Sequence, residues 1–345
     1  MSVKTNLFAA TMLAGAMAGL SAGTAQAQGA LVMYCGVQEE WCRAMTTAFE
    51  RETGVKVSMT RKSAGEVFAQ IKAEAANPRA DIWWGGTGDP HMQAAEEGLT
   101  EEYKSPKMGE LQDWAVRQWE QSKQRTVGIY SGALGFGYNT ELAKSNNAGE
   151  PKCWADLLKA ELKDEVQVAD PNSSGTAYTL LATIVQLMGE DKGFEYLKAL
   201  HKNVNQYTKS GAAPARAMAL GETMAGIAFM HDIMTQVADK APIKIVAPCE
   251  GTGYEIGSMS IIKGAKNLDN AKKFYDWALT PAAQKLGAET KQFQVPSNKG
   301  TPIPPEAPKL NEIKLINFDF AKYGSSEERK RLLSKWDNEV KNLPK

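Results

Sequence analysis

The sequence predicts an α/β protein of two lobes, each a mainly parallel sheet flanked by helices, with hinge strands between them. Three observations predict it. Short apolar runs alternate with amphipathic helical stretches through the first hundred residues, a pattern that builds a parallel sheet with helices on both faces. The chain has 345 residues, and single cores stop growing at roughly 250–300. Two extended, Gly-rich segments, TVGIYSGALGFGYNTE and IKIVAPCEGTGYEIGSMSIIKG, read as a crossing between lobes and a return. The division that follows is residues 28–131 plus 254–305 for one lobe and 132–253 plus 306–345 for the other.

The elements follow in order. Residues 1–27 have the form of a secretory signal peptide. Lys4 supplies the positive end, Leu7 to Leu20 is apolar and small, and Ala25-Gln26-Ala27 is a small-x-small cleavage site. ALVMYCG is a strand. Val37 to Thr53 is a helix with Trp41, Met45, Ala48 and Phe49 on one face, ended by Gly54. VKVSM alternates as a strand. Ser63 caps the next helix, with Glu66 completing a capping box. ADIWW is a buried strand that leaves through Gly85-Gly86-Thr87-Gly88, after which Asp89 and Pro90 serve as N-cap and first helical residue. Trp83 and Trp84 face opposite sides of that sheet as core residues, and His91 and His201 read as surface or helix positions. EVQVADPNSSGTAYTLLATIVQLM is strand, turn and long apolar helix. Met224–Met230 is a buried strand that places His231 and Asp232 at its tip. From about Asn311 the tail is charged and helical.

Composition narrows the function classes. Lys and Arg number 40 against 40 Asp and Glu, which argues against nucleic acid or an anionic membrane surface as partner. After the leader, no stretch approaches the ~18 unbroken apolar residues of a membrane span. Cys35, Cys42, Cys153 and Cys249 are an even set for an oxidising compartment, so two disulfides are expected among three possible pairings. Cys35–Cys42 is the local pair and would leave Cys153–Cys249. Zinc is the weaker reading, because the chain has no CxxC and its three histidines lie far from the cysteines in sequence. No GxSxG, HExxH or P-loop is present.

Ligands of open parallel sheets sit beyond the carboxyl ends of strands, where helix N-termini present free N–H groups. Three such junctions share a composition: Arg61-Lys62-Ser63-Ala64-Gly65, Gly85-Gly86-Thr87-Gly88-Asp89 and Ser173-Ser174-Gly175-Thr176. Each offers a hydroxyl, a glycine and a helix start. Capping alone explains any one of them; three together make a cage of N–H and O–H donors for a phosphate or carboxylate. Ser210, in Lys209-Ser210-Gly211-Ala212, is a weaker fourth. His231, Asp232 and Glu255 offer the mixed donors and acceptors that suit vicinal hydroxyls.

These segments resemble the periplasmic substrate-binding proteins of bacterial ABC importers, in the branch named for ferric iron. The resemblance rests on LVMYCGVQEEW…FERETGVKV, AGEVFAQIKAEAANPRADIWW, SSGTAY…LMGEDKGFEYLKAL, LGETMAGIAF and GSMSIIKGAKNLDNAKKFYDWALTPAAQ. It implies a type 2 periplasmic-binding fold that closes on its ligand, with no catalysis. The iron branch uses a His, a Glu and a Tyr pair; those positions fall here at Gln38, Gly86 and His231-Asp232, so no metal site is implied. Its phosphate turn matches Ser174-Gly175. A hexose-phosphate branch carries a His-Asp pair and a Glu that match His231, Asp232 and Glu255.

The expectation is therefore a monomeric periplasmic binding protein for a sugar phosphate, without a cofactor, serving an inner-membrane ABC permease. Arg61, Ser63, Thr87, Ser174, Gly175 and Thr176 would hold the phosphate. His231, Asp232 and Glu255 would hold the hydroxyls, with Gln38 and Ser210 as weaker candidates. A phosphonate, phosphoglycerate, dicarboxylate or Fe(III) ligand is the alternative within the class. A secreted enzyme acting on phosphate esters is the alternative outside it.

Overall fold

The computed structural model describes residues 1–2 and 29–344, so the expected leader from residue 3 onward and its cleavage site lie outside the described residues. Ten strands join into one continuous ladder: β1 (Ala30–Cys35), β2 (Lys56–Arg61), β3 (Ile82–Thr87), β4 (Val127–Asn139), β5 (Val166–Ala169), β6 (Val204–Thr208), β7 (Ala225–Phe229), β8 (Ile243–Val246), β9 (Tyr254–Ile261) and β10 (Val295–Pro296). Their order is β2-β1-β3-β9-β4-β7-β5-β6, with β8 and β10 also on β4. Two parallel trios, β2-β1-β3 and β6-β5-β7, are thus joined by antiparallel crossing strands.

The long strand β4 explains the continuity. Its first half, Val127–Ala133, pairs with β9, and its second half, from Leu134, pairs with β7 and β8. Every residue of β4 is buried, which accounts for its many glycines: packed chains press on it from both faces. Two main cores flank the crossing. One gathers Leu31, Trp41, Phe49, Trp84, Met259 and Phe274. The other gathers Phe136, Trp154, Tyr178, Phe194, Phe229 and Trp336. This is the two-lobe type 2 periplasmic-binding fold.

Several local expectations are met for the physical reasons given. Gly54 takes the left-handed conformation, φ 73°, at the end of helix Glu39–Thr53. Ser63 and Glu66 form the capping box of helix Ala64–Ala73. The disulfides are Cys35–Cys42 and Cys153–Cys249. Trp83 and Trp84 lie on opposite faces of β3: Trp84 packs edge-on against Trp41, and Trp83 stacks on the His91 ring at 3.5 Å.

Others are corrected. The Gly85-Gly86-Thr87 run belongs to β3, so Thr87 rather than Asp89 is the N-cap of helix Gly88–Glu96. Asp89 instead pairs with Arg329 of helix Ser326–Trp336, whose guanidinium also lies 4.1 Å from the Tyr178 ring centre. His91 and His201 are in helices, but neither is on the surface. His91 is held by Ser260 Oγ at 2.8 Å, and His201 by the Tyr207 hydroxyl at 2.9 Å. The tail is not helical throughout, because residues 314–316 run extended against Thr252.

Candidate functional site

Six strand-to-helix junctions converge on one cavity, open to solvent, with about 420 Å³ of atom-free space. Its lining includes every site residue expected from the sequence: Arg61, Ser63, Thr87, Ser174, Gly175, Thr176, His231, Asp232, Glu255, Gln38 and Ser210. The reason is topological. β1, β2, β3, β5, β6 and β7 end in the same direction within each parallel trio, and the crossing strands turn the two sets of ends to face each other.

Contacts sort the lining into two groups. The first contains the helix starts. Ser63 caps helix Ala64–Ala73 and Thr87 caps Gly88–Glu96; Ser174 caps Gly175–Met188 and accepts the Ala177 N–H at 3.4 Å. These ends nearly touch: a Cβ on Gly175 would stand 1.7 Å from Thr87 Oγ1, and one on Gly211 would stand 2.0 Å from Thr176 Oγ1. Thr87 Oγ1 is buried without a hydrogen-bond partner. Helix N-termini carry about half a positive charge each, so this wall is built for an anion. Arg61 is the cation beside it. Its Nε donates to Val37 O at 2.8 Å and its Nη2 to Ser210 Oγ at 3.3 Å.

The second group surrounds His231 and Asp232, both in the first turn of helix Met230–Ala238. His231 Nε2 lies 3.4 Å from Glu255 Oε1 and 3.7 Å from Asp232 Oδ1. Gly132 of β4 makes room for the ring, since a Cβ there would stand 2.2 Å from His231 Nδ1. Gln38 Nε2 donates to Asp232 Oδ1. All three titratable groups are buried, and burial disfavours charge. It lowers the His231 pKa to about 3 and raises that of Asp232 to about 7, against the pull of Arg216 and Arg61. Burial, then repulsion from Asp232, holds Glu255 well above the carboxylate range. Burial thus keeps the His231 imidazole neutral and favours the protonated form of the Glu255 carboxyl, groups that both donate and accept.

Sequence reasoning missed Tyr130, Phe229 and Gln294, which also line the cavity. The Tyr130 hydroxyl accepts the Gly86 N–H at 3.1 Å, leaving its own proton to donate. A polar-tipped aromatic inside the Gly-rich crossing was the available signal. Phe229 stacks on His231 with ring centres 5.4 Å apart. The positions matching the iron-branch ligands, Gln38, Gly86, His231 and Asp232, all line this cavity, without a phenolate pair.

Comparison with known proteins agrees with this geometry. A family model described as bacterial extracellular solute-binding protein matches residues 77–323. A relative from Haemophilus influenzae, named only as an uncharacterized protein, is 49% identical over 341 residues, covering 98% of each chain. The solved structure of the periplasmic binding protein AfuA from Actinobacillus pleuropneumoniae, with exogenous fructose-6-phosphate bound, is 46% identical with a TM-score of 0.87, covering 92% of this chain and 100% of that one. The periplasmic binding protein P5PA is 42% identical with a TM-score of 0.88, covering 91% and 100%. The span of the family model, with relatives this similar over nearly the whole chain, establishes that this chain belongs to the bacterial extracellular solute-binding protein family.

Proposed function

We propose that the protein is the periplasmic solute-binding component of an ABC importer and that its ligand is a sugar phosphate, most simply a hexose phosphate. The observation that carries this is the pairing, in one cavity, of a helix-terminal anion wall with the buried polar cluster of His231, Asp232 and Glu255. The phosphate rests on the N–H groups and hydroxyls of Ser63, Thr87, Ser174, Gly175 and Thr176, with Arg61 as counter-charge and Ser210 beside it. The sugar hydroxyls meet His231, Asp232, Glu255 and Gln38. The lobes, divided as 28–131 plus 254–305 and 132–253 plus 306–345, close over the ligand and present the closed shape to an inner-membrane permease. AfuA, so similar in sequence and shape, supports the reading through the fructose-6-phosphate it holds.

Calorimetric titration of the purified protein, refolded once to strip carried-over ligand, tests it. Glucose 6-phosphate should bind much more tightly than glucose or inorganic phosphate alone. Binding of phosphate, a dicarboxylate or Fe(III) without the ester would refute the sugar-phosphate reading. Turnover of the ester would refute a pure binding role.

A further inference from the structure

The helix starts that follow Thr87 and Ser174 nearly touch, and a third helix joins them from outside the cavity. Arg329, in helix Ser326–Trp336, reaches both. Its Nη1 donates to the Asp89 carboxylate, in the first turn of helix Gly88–Glu96. Its guanidinium lies over the ring of Tyr178, near the start of helix Gly175–Met188, 4.1 Å from the ring centre. Its Nη2 donates to Pro171 O at 3.5 Å, in the turn that leads into Ser174. Neither Arg329 nor Asp89 lines the ligand cavity, so both act on it only through these helix starts.

The joined helices belong to different packing units. Leu332 and Trp336 of the Arg329 helix, like Tyr178, sit in the core around Phe136 and Trp154. Ala94 of helix Gly88–Glu96 sits instead in the small core of Tyr34, Val67 and Trp83. Polar groups link the two units. Besides Arg329 and Asp89, the Ser326 N–H donates to Glu96 Oε2 at 2.8 Å and Ser326 Oγ to Glu97 Oε1 at 3.4 Å. The Arg329 side chain is 3% exposed and that of Asp89 12%. Burial pushes the Asp89 carboxyl above its ordinary value, and Arg329 is the charge that pulls it back. Polar faces part without exposing apolar surface to water, as surfaces between moving units do. Each charge is hydrated once they part, whereas a buried pair with one partner removed is strongly destabilised.

We infer that Arg329 is a positioning residue for the anion site, its bridge from Asp89 to the Tyr178 helix forming as the lobes close and setting how long the ligand is held. This rests on the binding role proposed above, in which the lobes close over a sugar phosphate. In the open form Asp89 and Arg329 are each hydrated. In the closed form they meet, and Thr87 and Gly175 are drawn together around the anion. Ligand and clasp favour the same state, so the clasp acts on release rather than on encounter.

Stopped-flow binding to the purified protein, with glucose 6-phosphate and inorganic phosphate as separate probes, tests it. Asp89→Ala should speed release of glucose 6-phosphate about tenfold or more and leave association within about twofold. Arg329→Lys keeps the charge but loses the planar fork and the ring contact, and should speed release about fivefold. Both variants should keep the ligand-free melting temperature of the unmodified protein, which loss of a purely structural contact would lower. Removing a negative charge beside an anion site would by itself tighten binding. Tighter binding or an unchanged release rate in Asp89→Ala would therefore overturn the clasp, and so would a lowered ligand-free melting temperature. If the unmodified protein binds inorganic phosphate but not glucose 6-phosphate, the sugar-phosphate reading fails and the clasp is judged on phosphate release, which should quicken in the same way. Failure of both probes to bind would overturn both.

Discussion

Replacing Gly175 by alanine should separate closure of the cleft from folding. Gly175 opens the helix that follows β5, and Thr87 ends β3, so their contact brings the two parallel trios together. An added Cβ would stand 1.7 Å from Thr87 Oγ1, 2.8 Å from its Cβ and 2.9 Å from its Cγ2. Favourable carbon contacts lie at roughly 3.5–4.0 Å, so even for the fixed Thr87 Cβ the helix start and the strand end must part by roughly an ångström. Rotating Thr87 can carry Oγ1 away but gives only partial relief, because its Cβ does not move with χ1 and at 2.8 Å is already too close. Overpacking of this kind costs about 1–3 kcal/mol, which weakens ligand binding by about 5- to 150-fold. With the lobes apart the same methyl meets no obstacle, and alanine is a good helix former. Calorimetry should thus show markedly weaker glucose 6-phosphate binding, while the melting temperature without ligand stays near that of the unmodified protein. Unchanged affinity would show that the Thr87–Gly175 approach is no part of the ligand-bound form. A large fall in ligand-free melting temperature would place the contact in folding rather than in closure.

Two further outcomes follow from the same geometry. Asp232, with its pKa raised from 3.8 to about 7, favours the folded form below pH ~4, an advantage lost as pH rises towards 7. The lowered pKa of His231, from 6.5 to about 3, acts oppositely, stability being lost as pH falls through that window. Asp232→Asn removes the first effect and leaves that of His231, so the variant should gain melting temperature relative to the unmodified protein as pH rises from 4 to 7; a constant difference would refute the assignment. The Cys153–Cys249 bridge spans 96 residues against 7 for Cys35–Cys42. Chain entropy assigns the long bridge about 4–5 kcal/mol and the short one about 2–3, so denaturant unfolding of the two Cys→Ser double variants should find the long-bridge variant the less stable.

The parts of the fold legible in the sequence are those governed by local rules. Alternating apolar runs, capping residues and Gly54 mark elements whose ends depend on near neighbours. The site residues were legible for a related reason: a parallel strand delivers its carboxyl end to one edge, so Ser63, Ser174 and His231 could be placed there before their spatial neighbours were known. What stayed hidden depends on long-range contact. His91 is buried because Ser260, 169 residues away, supplies its partner. Asp89 looks like a cap, but Arg329, 240 residues away, takes its carboxylate. Tyr130 enters the site only because the crossing strand turns its hydroxyl to Gly86. The short motif around each of these residues points to the local role, and the distant partner decides otherwise.

The protonation pattern of the His231 end adds a selectivity argument that composition could not supply. His231 and Asp232 read in sequence as an imidazole beside a carboxylate, an end that would repel any anion. In the folded cavity burial favours the protonated form of Glu255 and keeps His231 neutral, while Asp232, raised to about 7, changes charge near neutral pH. An ester with its phosphate on the helix starts presents hydroxyls here, and hydroxyls bond to protonated and ionised carboxyls alike. Inorganic phosphate on the same helix starts leaves the buried donors and acceptors at this end without partners, at about 1–3 kcal/mol each. Two such groups amount to about thirtyfold or more in affinity. Discrimination between the ester and free phosphate would then come from this end of the cavity, and lowering the pH to 5 should leave glucose 6-phosphate bound while Asp232 takes up its proton.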